Sequence, residues 1–252
     1  LVLALLDAVV GVALTAALAV AAVASGALTR WAGAIAFVFG AVIVVLAGFP
    51  FLALLILFVF ASVIATRYRF EEKKRGNVQE GTRGERGVSN VLAHILLPTG
   101  LVLIAGVASG SLPAIPLAVL YSAALAFGAA DTFASEFGVL AGRARSILTG
   151  RPVAPGTNGG VSAVGEVWAF VGALTTGVVA LALFVVIDGT HFPVGAFLVV
   201  APVAGFAGCQ TDSVLGETLE NRGFLTKGST NFLGMLSAII IAALLLALVG
   251  LW

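Results

Sequence analysis

Two short segments of this chain carry the same set of reactive groups at the same spacing. In AADTFASEFG (129–138) an acid, Asp131, is followed by the hydroxyl of Thr132, then Ser135 and a second acid, Glu136. In GCQTDSVLGETLE (208–220) the order is Asp212, Ser213, Gly216 and Glu217. Taken singly, such acids only cap or solvate a helix end. As an echo, D-T-x-x-S-E against D-S-x-x-G-E, they suggest two half-sites. Carboxylates that face one another favour a hard divalent cation, and Mg²⁺ commonly takes one or two carboxylates together with substrate phosphates. Asp131, Glu136, Asp212 and Glu217 are therefore the expected metal-binding and catalytic group.

Two further segments supply groups for phosphate. In RGERGVSN (83–90), Arg83, Arg86 and Asn90 lead directly into an apolar run, an arrangement in which guanidinium groups and helix-start amides hold phosphate oxygens. The plainer reading is a solvated loop, with Lys73, Lys74 and Arg75 attracting anionic headgroups. PVAPGTNGGVSAVGE (152–166) is either a flexible turn or a loop whose Gly156, Gly159 and Gly160 let the backbone approach a ligand, with Thr157, Asn158 and Ser162 adding neutral hydrogen bonds. It lacks the Lys and the spacing of a P-loop. His94 and His191 have no second histidine at metal-ligand spacing and fit packing roles. The single Cys209 excludes an intramolecular disulfide and reads as a small packing residue.

The elements that must position these groups are membrane helices. Sixty per cent of residues are apolar, ten per cent are charged and the mean hydropathy is +1.15, a composition that no water-soluble core can hide. Apolar runs near the roughly 20 residues needed to cross a bilayer occur at about 2–27, 31–48, 51–66, 90–109, 114–130, 166–187, 193–208 and 232–251. This predicts an all-α polytopic bundle of about eight transmembrane helices (six to eight), one domain over 1–252, with the echo suggesting a parallel internal repeat. The first run has no convincing processing site and is read as a span. The weakest divisions are at Gly48-Phe49-Pro50 and around Pro202 and Gly205.

Charge placement orients the bundle. The thirteen Lys and Arg residues fall in four connections: one at Arg30, seven from Arg67 to Arg86, three from Arg143 to Arg151, and two at Arg222 and Lys227. With eight spans these connections share one face, which the positive-inside rule places in the cytoplasm with both termini outside. Ten of the twelve carboxylates, all but Asp7 and Asp188, lie on or beside that face. Acidic residues contribute little to orientation, so their collection there points to a polar site, to which loops 67–89 and 139–164 are expected to contribute. The net charge of +1 says little about partners, and no nucleic acid is expected.

RGERGVSNVLA (83–93), ADTFASEFG (130–138), PGTNGGVS (155–162), GFAGCQTDSVLGETL (205–219) and NFLGMLS (231–237) occur in an order that resembles the DUF92, or transmembrane protein 19, family. The resemblance runs from about residue 25 to the C-terminus. That family includes the plant phytyl-phosphate kinase of vitamin E synthesis. The resemblance implies a CTP-dependent kinase that converts an isoprenyl monophosphate of the phytyl or geranylgeranyl type to the diphosphate, in the cell membrane of a prokaryote. Two departures are His94, where Asn is expected, and Lys227-Gly228-Ser229-Thr230 in place of an Asn- or Asp-rich run before Asn231.

In that setting Mg²⁺ is the expected cofactor and CTP the phosphate donor. Arg83, Arg86, Asn90, Thr132, Ser135, Gly156, Thr157, Asn158, Gly159, Gly160, Ser213, Lys227 and Asn231 are the expected nucleotide and phosphate contacts. Because the acceptor phosphate is already ionised, positioning and electrostatics suffice without a strong base. Grooves lined by small residues such as Gly128 and Gly208 are expected to admit the prenyl chain. The alternatives are a CDP-lipid-forming cytidylyltransferase and an ion-coupled transporter. Transporter sites ordinarily lie at midplane helix breaks, whereas these acids lie at span ends.

Overall fold

The computed structural model describes residues 2–107, 112–187 and 192–252. Asp188 and His191 lie outside the described residues. Among the described residues nine α-helices follow in order: α1 Val2–Ala24, α2 Arg30–Ala47, α3 Phe49–Arg67, the short α4 Phe70–Arg75, α5 Val88–Val107, α6 Ala114–Gly138, α7 Ala163–Leu181, α8 Ala201–Leu215 and α9 Lys227–Leu248. Among the described residues, eight helical stretches are long and apolar enough to cross a membrane, as the hydropathy pattern predicts. Small N-terminal caps start several of them: Thr29 accepts from the amide of Ala32, Ser162 from Gly165, and Thr226 forms a capping box with Ser229.

Helix α6 is the central post. Every residue from Ala118 to Ala130 is buried, and α3, α5, α7, α8 and α9 pack around it. Small residues permit this, since apolar side chains gain little by leaving lipid for protein and close backbone approach supplies the attraction. Gly205 of α8 is one such point, because a Cβ there would stand 2.6 Å from the Cβ of Ala126. Gly128 and Gly208 are others, and among the described residues the space beside them, where a chain-binding groove is expected, is filled: a Cβ on Gly128 would meet the Phe58 ring at 2.8 Å, and one on Gly208 would meet Gly234 O at the same distance. These glycines close the interior rather than opening it.

Helix ends differ from the hydropathy boundaries where the polar segments begin. The fifth span continues to Gly138 and a 3₁₀ turn, Val139–Ala141, and the seventh runs from Ala196 to Glu220, including π-helical turns at Ala196–Val200 and Gly216–Glu220. A helix satisfies its own backbone whether its side chains meet lipid or water, so it outlasts the apolar run that announces it. Asp131 and Asp212 consequently sit on helix rather than in loops. The 139–164 connection carries a small antiparallel sheet, ordered β2-β1-β3, from β1 Ala144–Ser146, β2 Pro152–Val153 and β3 Gly160–Val161.

Candidate active site

The polar ends of α5, α6, α8 and α9, the sheet connection and residues 77–80 enclose a cavity of about 400 Å³. Asp131 and Asp212 both line it. Between them lies the carboxamide of Asn231 on α9: in one orientation its amide donates to Asp131 Oδ2 at 3.4 Å, and in the other to Asp212 Oδ1 at 3.3 Å and to the Lys227 carbonyl at 2.9 Å. The two echoed segments thus meet on one residue. Neither aspartate has a cation within 4.0 Å among the described residues, whose ion pairs are Arg69–Glu72, Lys73–Glu136 and Lys227–Glu80. Two partly buried carboxylates facing a shared amide without a counter-ion form a donor set that fits a hard divalent cation. No group of three or more His, Cys, Asp or Glu side chains suited to a metal occurs among the described residues. A Mg²⁺ held by two carboxylates completes its shell with water and phosphate oxygens.

The second acid of each echo has protein partners instead. Glu136 is buried, receiving Lys73 Nζ at 2.6 Å and the Thr66 hydroxyl at 2.7 Å. Lys73 also donates to the carbonyls of Ala65 at 2.9 Å and Thr66 at 3.0 Å, so its three protons serve the end of α3 and Glu136. It is 1 % exposed, which corrects its grouping with Lys74 and Arg75 as a headgroup contact. Glu217 lies outside the cavity lining and accepts from Ser146 Oγ at 2.6 Å and the Leu148 amide at 3.3 Å, tying the π-helical turn after α8 to the end of β1.

Arg86 is anchored at both ends. Its backbone pairs with the α1–α2 turn, its amide donating to Ala27 O at 2.9 Å and its carbonyl accepting from Thr29 at 3.2 Å. Its guanidinium donates to Asn90 Oδ1 at 3.0 Å and to Thr66 Oγ1 at 3.2 Å. Arg83, by contrast, is exposed and outside the cavity lining. Its amide and the Thr82 hydroxyl bind Glu85, whose carboxyl those bonds hold at about 2, chiefly through Thr82.

Thr132, Ser135, Gly156, Thr157, Asn158, Gly159, Gly160, Ser162, Ser213, Lys227 and Asn231 all line the cavity with Arg86 and Asn90. Sequence reasoning passed over Glu80, Glu166 and Glu220, which line it too. Glu166 accepts from Gln210 at 2.9 Å, and Glu80 pairs with Lys227 at 2.8 Å. Burial is the largest single influence and would raise the Glu80 carboxyl, but the attraction and hydrogen bond of Lys227 together with the charge of Arg86 hold the group below its ordinary value, so the pair is ionised at neutral pH. Their visible signal was only the collection of acids in that part of the sequence.

Gly159 seats the sheet connection on the π-helical turn that follows α8. Its φ is 76°, and a Cβ there would press on Glu217, with Glu217 Cα and N both at 2.9 Å. We expect Gly159→Ala to strain the turn and lift it from the helix, lowering stability by roughly 1–3 kcal/mol. A thermal unfolding curve in detergent that matches the parent protein would contradict this.

A second cavity of about 400 Å³ opens beside the first among α1, α2, α3 and α5. Its walls are apolar, including Leu18, Ala22, Leu52, Leu55, Phe58 and Val59. The two cavities share Arg86 and Asn90.

Comparison with known proteins agrees with this architecture. The family model of the integral membrane protein DUF92 matches residues 13–234. An uncharacterised membrane protein of Methanocaldococcus jannaschii is 28 % identical over 82 % of this chain and 81 % of its own. The protein PGR of Arabidopsis thaliana is 32 % identical over 71 % of this chain and 67 % of its own. An uncharacterised membrane protein of Synechocystis is 30 % identical over 90 % and 87 %. No solved structure matches the chain. With eight apolar helices and a family model matched across most of its length, the chain belongs to the DUF92 family of integral membrane proteins.

Proposed function

We propose that this protein is a phosphotransferase acting on an amphiphilic phosphate, in the form of a CTP-dependent kinase that converts an isoprenyl monophosphate to its diphosphate at the cytoplasmic face. The observation that carries this reading is the junction of a polar and an apolar cavity at Arg86 and Asn90. A molecule with an anionic head and a hydrocarbon tail satisfies both at once, its head paired with the guanidinium and its tail removed from water.

In this reading Arg86 and Lys227 neutralise phosphate charge, and the turn around Gly156–Gly160 offers backbone amides to the nucleotide. Asp131 and Asp212 hold Mg²⁺, which supplies electrostatic stabilisation of the phosphate oxygens when bound. Asn231 keeps the two carboxylates apart and oriented. An oxygen of the acceptor phosphate forms the new bond to the γ-phosphorus of CTP, and the β–γ bridging bond breaks with its electron pair leaving on CDP. The residues orient donor and acceptor in line and leave proton transfer aside, because the attacking oxygen is already ionised. Glu136 and Glu217 act by position, the first through the Lys73–Thr66–Arg86 network and the second by holding the sheet connection.

Radiolabelled CTP, a C20 prenyl monophosphate and Mg²⁺ supplied to the purified protein are expected to give prenyl diphosphate and CDP. A CDP-lipid with pyrophosphate would replace this reading with nucleotidyl transfer. Absence of any nucleotide turnover would overturn both.

A further inference from the structure

Glu166 lines the polar cavity and has no part in the chemistry assigned to that cavity so far. It stands in the first turn of α7, its amide donating to the Ser162 carbonyl at 2.9 Å, and none of the ion pairs among the described residues includes it. Gln210 of α8 donates to its Oε2 at 2.9 Å and holds the carboxylate in place. The other oxygen, Oε1, has no protein partner among the described residues. Buried polar atoms in that condition are Ser62 Oγ, Gln79 Oε1, Arg86 Nε, His94 Nε2 and Thr99 Oγ1. Glu166 Oε1 is not one of them, so it is open to the space that its residue lines.

The place of this free acceptor in the cavity limits what it can bind. Helix α7 packs on α6 and α8, whereas α5 packs on α6 and α9. The cations of the cavity lining, Arg86 just before α5 and Lys227 at the start of α9, therefore flank the aspartate pair of α6 and α8 from the side opposite Glu166. The same division shows on α8 itself, because side chains two positions apart, as Gln210 and Asp212 are, point about 160° away from each other around a helix. Ser162, Gly165, Cys209 and Ser213, which line the cavity on the α7 and α8 side, carry no positive charge.

A phosphate is repelled by a carboxylate in such surroundings. A divalent cation is disfavoured as well, since Gln210 turns its amide protons rather than its oxygen toward Glu166. A neutral group with protons to give fits. In a nucleotide whose phosphates lie at the aspartate pair, the sugar comes next along the molecule and the base after it. We infer that Glu166, steadied by Gln210, accepts hydrogen bonds from the vicinal ribose hydroxyls of the donor nucleotide, so that the site selects a ribonucleotide over its deoxy counterpart. This rests on the proposed binding of a nucleotide in the polar cavity and adds the residue that reads its sugar. A carboxylate accepting from a ribose hydroxyl is also how dinucleotide-binding folds hold that sugar.

The test is displacement of tritiated CTP from the purified protein, with Mg²⁺ and without acceptor, by unlabelled CTP, UTP and 2′,3′-dideoxy-CTP. The dideoxy nucleotide keeps the base and the triphosphate but has no hydroxyl for Glu166, so it is expected to compete about tenfold less well than CTP. Glu166→Ala is expected to bring the two within about twofold of each other. Glu166→Gln, whose carboxamide accepts without charge, is expected to keep about a threefold preference. The ratio of UTP to CTP is expected to be the same in the parent and in Glu166→Ala. Equal competition by CTP and the dideoxy nucleotide in the parent protein overturns the inference and needs no variant. So does a sugar preference that survives in Glu166→Ala, or a UTP-to-CTP ratio that changes there, which would assign the carboxylate to the base. Absence of CTP binding overturns it too. Formation of prenyl diphosphate is a separate readout: turnover without a sugar preference leaves the kinase reading standing alone, and a sugar preference without turnover leaves this inference standing alone.

Discussion

Asp131→Asn and Asp212→Asn are each expected to lower turnover on the order of 100-fold while raising stability in the absence of Mg²⁺. Both effects have one origin. The two carboxylates converge on Asn231 with no cation within 4.0 Å among the described residues, so each destabilises the other when both are charged. Removing one charge relieves that repulsion and also removes half of the donor set for a divalent cation. Unfolding curves with and without Mg²⁺ separate the parts of the argument. Added Mg²⁺ is expected to stabilise the parent protein, as any ligand specific to the folded state does, and to leave the Asn variants nearly unchanged. Parent and variants that respond equally to Mg²⁺ would sink the metal site irrespective of the activity assay.

Lys73→Met is expected to be the most destabilising single change at the polar face, at about 3–5 kcal/mol. Lys73 is buried, and its ammonium satisfies Glu136 together with two carbonyls that end α3. Replacing it strands a carboxylate that only the Thr66 hydroxyl then contacts. Since Thr66 in turn accepts from Arg86, the damage should reach the junction of the two cavities as well. The conservative control is the double replacement Lys73→Met with Glu136→Leu. An ion pair removed whole leaves no stranded charge, so the double variant should recover most of the stability lost by the single one. A single variant that unfolds at the parent temperature would show that the pair is not formed as described.

Particular elements show how far the amino-acid sequence reaches. Eight spans were legible because bilayer thickness demands about 20 apolar residues in succession, a constraint local to each segment. The echo of Asp131 and Asp212 was legible for a similar reason: helical spacing repeats residue types in plain view. The roles of the four echoed acids were not. Asp131 and Glu136 are five residues apart on one helix and both line the cavity, yet one meets Asn231 and the other Lys73, sixty-three positions earlier in the chain. Glu217 turns to Ser146, seventy-one positions away. Which carboxylate is neutralised depends on which distant cation or hydroxyl the packing delivers, and hydropathy carries no information about that.

The groove illustrates the same division. Gly128 and Gly208 invite the inference of open space, because a missing side chain in one segment resembles a vacancy. In three dimensions Phe58, His94, Phe127 and Gly234 occupy that space, and the cavity opens instead against α1 and α2. Composition and periodicity by themselves determined that this protein is a helical membrane bundle with its acids and bases gathered at one face, since both follow from the cost of placing polar groups in hydrocarbon. The tertiary structure alone decided that two aspartates meet on one asparagine, that a lysine is buried, and that a polar and an apolar cavity join at Arg86. Those outcomes depend on helix-to-helix contacts between segments far apart in the chain, where close packing selects one arrangement among many that the same pattern of spans permits.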